Sequence, residues 1–100
     1  MARKRYISSD LSTAGRLSQL GQEDLLAPLL YTWLIPHLDD WGRSSGDAHE
    51  LRLLVIPGLP VTNEQVEGVL VRLEAAGLVH RYWVGGRFCL AVDPDPFYRQ

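Results

Sequence analysis

The stretch Thr62–Val92 reads TNEQVEGVLVRLEAAGLVHRYWVGGRFCLAV, and its punctuation decides the fold. Thr62 followed by Gln65 has the spacing of a reciprocal capping box, and Val61 with Val66 has that of a hydrophobic staple. Val66, Val69, Leu70 and Leu73 recur at three- and four-residue steps, so a helix over 62–76 has one apolar face. Gly77 stands where a helix ends on a left-handed residue. The next segments, Leu78–Val84 and Arg87–Val92, are rich in Val, Tyr, Trp, Phe and Leu and read as strands. Gly85-Gly86 between them suits a two-residue hairpin turn. That turn sets Trp83 opposite Phe88 and Arg81 opposite Leu90, with Tyr82 opposite Cys89 and His80 opposite Ala91 on the other face. Both faces carry apolar groups. One must cover the core and the other leaves aromatic surface outside.

Upstream, Asp47–Ile56 reads as a shorter helix. Asp47 and Glu50 have capping-box spacing, and Leu51, Leu54 and Val55 are expected to face inward, with His49 on the exposed side. Pro57-Gly58 and Leu59-Pro60 turn the chain toward Thr62. Further back, Gln22–Leu38 reads as one long helix. Leu25, Leu26, Leu29, Leu30, Trp33, Leu34 and Leu38 make a wide apolar face that belongs at the centre of the core. Glu23 and Asp24 sit at its positive end. Pro28 and Pro36 each remove a backbone donor, and a kink or early stop is expected at Pro36. Arg43–Ser45 suits a short third strand beside the hairpin. Met1–Leu20 is polar and rich in Ser and Gly, which favours turns. Asp93-Pro94-Asp95-Pro96 closes the structured part.

Helix, helix, helix, hairpin is the order of a winged helix. The expected class is α+β: a small winged-helix (helix-turn-helix) domain with three main helices and a C-terminal β-hairpin wing. Residues 1–20 form a basic arm and N-terminal segment, 21–93 the winged-helix domain, and 94–100 a C-terminal tail.

The chain has 100 residues, enough for one domain, and its 46% hydrophobic content is that of a globular protein. The net charge of −2 argues mildly against strong non-specific DNA binding. Cys89, the single cysteine, forms no internal disulfide and fits a reducing cytoplasm. No apolar run follows the basic residues near the start, and none is long enough to span a bilayer.

In the common winged-helix mode, the last helix enters the major groove and the wing touches the minor groove or backbone. The outward positions of this helix carry Glu64, Glu67 and Glu74 against Arg72. Asn63 and Arg72 have the chemistry to contact bases. The other basic groups are Arg3, Lys4 and Arg5 in the arm, Arg52 on the preceding helix, and Arg81 and Arg87 on the wing. Binding by wing and arm, with these groups on phosphates of double-stranded DNA, is the first expectation. The second is a protein-interaction surface of Trp83, Phe88 and Leu90, giving a homo-oligomer or an adaptor. His37, Asp39 and Asp40 are metal-ligand types, but they lack the paired spacing of a zinc site, so no metal or other cofactor is expected. No nucleophile–base pair or glycine-rich phosphate loop supports an enzyme.

One run carries a more specific likeness. Leu30-Tyr31-Thr32-Trp33-Leu34-Ile35-Pro36-His37, then Asp39-Asp40-Trp41-Gly42-Arg43, Gly46-Asp47 and Leu54-Val55-Ile56-Pro57 resemble the N-terminal winged-helix domain of phage and bacterial replisome-organiser (replication-initiation) proteins. Ala2–Ile7 and Leu73–Tyr82 fit the same pattern. The resemblance implies a non-enzymatic DNA-binding or assembly domain, often oligomeric, that works with other replication proteins.

Overall fold

The computed structural model describes residues 15–92 and the backbone of 6–7 and 98–99. The elements in chain order are β1 (Tyr6–Ile7), α1 (Gly15–Glu23), α2 (Leu26–Leu34), a 3-10 turn (Ile35–His37), β2 (Arg43–Ser45), α3 (Ala48–Val55), α4 (Asn63–Ala75), β3 (His80–Val84), β4 (Arg87–Ala91) and β5 (Tyr98–Arg99). The fold is α+β and winged-helix-like. Four helices pack beside an antiparallel sheet of order β2-β4-β3, and β1 pairs with β5 in a separate two-stranded ribbon.

The expected single helix over 22–38 is two helices, because of Pro28. In a continuous helix its ring would meet the carbonyl of Asp24, four residues back. The chain instead breaks at Asp24-Leu25. The Asp24 carboxylate accepts from the Leu26 N–H at 2.9 Å, and Pro28 falls in the first turn of α2, where a missing donor costs little. Pro36 then stops α2 and tightens the next residues into the 3-10 turn, as its position indicates. The segment before Gln22 is not all turn. α1 starts at Gly15 and straddles the boundary drawn at residue 20, with Leu17 in the core. Burial of Leu17 and Leu20 outweighs the weak helix propensity of its Ser and Gly residues.

α2 supplies Leu30, Leu34 and the following Ile35 and Leu38 to the core, where they meet Leu51, Ile56, Val66, Leu70, Leu73 and Leu90. Leu25 and Trp33 lie outside this cluster and are exposed, so the apolar stripe is narrower than the composition of 22–38 indicates. Leu54 likewise is 51% exposed rather than inward-facing. Trp41, in the turn before β2, is 77% exposed.

α3 begins on Asp47, whose carboxylate accepts from the Glu50 N–H at 3.0 Å. The return half of a capping box is rerouted through Ser45. Its hydroxyl donates to Glu50 Oε1 at 2.9 Å, and the Asp47 N–H donates to the same hydroxyl at 3.2 Å. α4 has the complete box: Thr62 Oγ1 accepts from Gln65 N–H, and Gln65 Oε1 accepts from Thr62 N–H. It ends in a Schellman motif on Gly77 at φ +75°, with Leu78 N–H donating to Leu73 O and Gly77 N–H to Glu74 O. Gly85 and Gly86, at φ +56° and +78°, make the primed turn of the hairpin. The cross-strand pairs are those read from the sequence, from His80 opposite Ala91 to Val84 opposite Arg87. β2 adds the third strand, with Arg43 opposite Ala91 and Ser45 opposite Cys89.

Candidate nucleic-acid interface

The helix α4 and the wing are joined through Arg81. Its position opposite Leu90 turns it toward the helices, where it is 9% exposed. The guanidinium grips Glu67 with both ends, Nη1 to Oε1 at 2.8 Å and Nη2 to Oε2 at 2.7 Å. Nε donates to Glu74 Oε1 at 2.8 Å. Glu67 and Glu74 are seven residues apart, so both lie on one helix face, two turns along. Below the guanidinium, 4.7 Å away, is the ring of Phe88, and Trp83 stacks on Phe88 with centroids 4.7 Å apart. The Arg81 bonds hold the Glu67 carboxyl below its ordinary range, and its partners push the Arg81 pKa upward.

This corrects the reading of Arg81 as a phosphate contact. The side chain is spent inside the protein, fixing the wing against α4. It also changes the account of the helix surface. Two of the three outward glutamates are already partnered by a cation, which leaves Glu64 as the acidic group nearest the start of α4.

At that start a polar cluster forms between α3 and α4. Arg52 Nε donates to Asn63 Oδ1 at 2.6 Å, and Asn63 Nδ2 lies 3.2 Å from His49 Nδ1. His49 and Arg52, three apart on α3, share a face. His49 is exposed, as its place on α3 indicates, and its spacing from Arg52 opposite the N-terminus of α4 brings it to Asn63. Asn63 is exposed and Arg52 half-buried. The cluster therefore sets a planar amide and a guanidinium at the α3–α4 edge, with Asn63 Oδ1 and Nδ2 engaged by Arg52 and His49. These two chemistries are the ones that contact adenine and guanine edges once released to a base.

The remaining expected contacts are not gathered there. Arg72 lies toward α1, 3.9 Å from Asp24. Arg87 is exposed beside the wing turn, with no ion-pair partner among the described residues. Arg3, Lys4 and Arg5 lie outside the described residues. Of the three expected interface residues, Trp83 is 68% exposed, whereas Phe88 is half-buried. Leu90 is 0% exposed and belongs to the core, so it is withdrawn from the interface. The reason is register: Leu90 sits beside Arg81 on the helix-facing side of the sheet.

Among the described residues, no three His, Cys, Asp or Glu side chains converge as metal ligands. Asp39 instead closes a turn. Its Oδ1 accepts from the Trp41 and Arg43 N–H groups, and Oδ2 lies 3.5 Å from Arg43 Nε. Among the described residues, no helix is long and apolar enough to cross a membrane. No family model, no curated protein and no solved structure matches the chain.

Proposed function

We propose that this protein is a non-enzymatic DNA-binding winged helix, acting in the cytoplasm in replication initiation or replisome assembly of a phage or mobile element. Double-stranded DNA is the partner. The observation that carries this reading is the Arg52–Asn63–His49 cluster, set at the α3–α4 edge, with Arg87 exposed on the wing. The arm residues Arg3, Lys4 and Arg5 add phosphate contacts in this reading. Replication is favoured by the resemblance of Leu30–Arg43 to replisome-organiser domains. With Arg81 committed to Glu67 and Glu74, contact moves from the base of the wing to its tip and to the helix-turn-helix edge.

The test is fluorescence anisotropy with a labelled duplex across a salt series. Each phosphate contact contributes about −0.9 to the slope of log K against log salt. Arg87→Gln is expected to reduce the slope by about 0.9, and Asn63→Ala to weaken binding by about tenfold at a preferred site. A duplex affinity that is undetectable at low salt, or flat across the series, refutes the reading.

A second reading has its own observation. Trp83, 68% exposed and stacked on the half-buried Phe88, leaves an aromatic surface on the wing that fits a second copy of this chain or a replication partner.

A further inference from the structure

The sheet has a second face, turned away from Arg81 and Leu90, which the proposed duplex contacts at α3 and α4 do not use. Its residues follow from the register. One row is Arg43, Ala91 and His80; the next is Ser45, Cys89 and Tyr82; the last holds Arg87 and Val84. The central strand, β4, carries the small side chains Cys89 and Ala91, flanked by aromatic rings on β3. Small residues on a central strand between larger neighbours make a trough. A groove of about 380 Å³ lies there, and Arg43, Ser45, Tyr82, Val84, Arg87 and Cys89 line it.

The trough has an arginine at each end, Arg43 beside the Asp39 carboxylate and Arg87 exposed, and is aromatic along one wall. Arg43 and Arg87 stand on different strands, four residues apart along β4, or about 14 Å at strand rise. Tyr82 is half-buried, and His80 stacks on it with ring centroids 5.9 Å apart. Ser45 already donates its hydroxyl to Glu50, and Asp39, at the rim, is tied into the turn that holds Arg43. The features left to meet a ligand are therefore the Arg87 guanidinium, unpaired among the described residues, the Arg43 guanidinium, whose Nε lies 3.5 Å from Asp39 Oδ2 in an exposed pair that a phosphate can replace, and the aromatic wall. A small inorganic anion would use the cations and ignore the rings. A folded protein would meet walls as polar as they are apolar, and would need acidic groups placed about 14 Å apart to match the two arginines. A flexible polyanion carrying flat unpaired bases uses both, with phosphates on the arginines and a base against the ring.

We propose that the outer face of the β2-β4-β3 sheet is a binding site for single-stranded nucleic acid, with Tyr82 as the stacking surface and Arg43 and Arg87 as the phosphate clamps. The site shares Arg87 with the proposed duplex surface but is separate from the Arg52–Asn63–His49 edge, and it does not depend on that edge binding a duplex.

The test uses the full chain, with a 5′-labelled oligothymidylate of twelve nucleotides in fluorescence anisotropy at low salt and inorganic phosphate as competitor. The wild type is expected to bind, with affinity falling as salt rises. Tyr82→Ala weakens binding by about tenfold, the loss of one base–aromatic stack, while Tyr82→Phe retains it. Arg87→Gln lowers the salt slope by about 0.7, the single-strand value for one phosphate. Arg52→Gln leaves oligothymidylate binding as it is while weakening the duplex, which separates the two sites. Circular dichroism checks that each variant is folded, and Tyr82→Phe with Arg87→Gln decides the matter if Tyr82→Ala unfolds. Three results overturn the proposal. One is undetectable binding of the single strand; another is binding indifferent to Arg87→Gln and Tyr82→Ala. The third is complete displacement by millimolar phosphate, which marks a simple anion site.

Discussion

Arg81 on the wing and Glu67 on α4 are joined by two parallel hydrogen bonds of 2.8 and 2.7 Å across a separation of 14 residues. The Arg81 side chain is nearly buried, whereas 46% of the Glu67 side chain stays exposed. Such a pair fixes orientation more than it adds stability, because desolvating the guanidinium offsets much of the attraction. Its effect is geometric: the hairpin is held at one angle to the helix.

Removing the cation leaves both glutamates able to turn to water. Arg81→Met is therefore expected to cost about 2 kcal/mol, below the 3–5 kcal/mol of a fully buried broken pair. Glu67→Gln keeps one hydrogen bond and is expected to cost about 1 kcal/mol. Urea denaturation followed by circular dichroism measures both. Equal costs for the two variants would refute the asymmetry of burial.

The same pair sets an acid limit. Glu67 titrates below its ordinary value of 4.5, chiefly through its hydrogen bonds to Arg81. A depressed folded pKa means that the folded state binds the proton less readily than the unfolded one. Its contribution is present above 4.5 and is lost as pH falls through the lower folded value. Melting temperatures from pH 6 to pH 2.5 are expected to fall less steeply in Glu67→Gln than in the wild type. Parallel curves would show that the pair carries no acid dependence.

The ends of α4 are fixed by local chemistry. Thr62→Ala breaks the capping box and is expected to cost about 1 kcal/mol. Gly77→Ala places a Cβ at φ +75°, 3.2 Å from the Arg16 side chain, and is expected to cost about 1–2 kcal/mol. Gly58→Ala, with open space around its Cβ, is the comparison and is expected to shift stability by under about 0.5 kcal/mol. Thermal melts rank the three.

Leu90 and Trp83 lie on the same face of the hairpin but in different surroundings. Leu90→Ala opens a cavity and is expected to cost about 2–5 kcal/mol. Trp83→Ala loses an exposed ring stack and is expected to cost about 1 kcal/mol. In light scattering, Trp83→Ala is expected to lower the mass if the wing joins two copies. A monomer mass in both proteins would remove the self-association reading.

The legible parts of the fold are those whose signals are local. The Thr62 cap, the Gly77 stop and the Gly85-Gly86 turn each act through neighbouring backbone, and all appear where the sequence places them. The third strand beside the hairpin also follows. α1 was hidden because its Ser and Gly residues speak for turns, while burial of Leu17 and the Arg16 bond to Ala76 O depend on distant partners. The helix break at Asp24 was readable in principle, from the clash Pro28 would make four residues back. Arg81 shows the limit for the site. Alternation places it on the face of Leu90, yet its burial depends on Glu67 and Glu74 arriving from α4.

The ribbon of β1 and β5 brings Tyr6 opposite Arg99 and Ile7 opposite Tyr98 in antiparallel register. The path into the domain and the path out of it thus run side by side. A host protein interrupted at a surface loop would find its two cut ends nearly together again after this fold, so the domain has the geometry of an insert as well as that of a bead on a string.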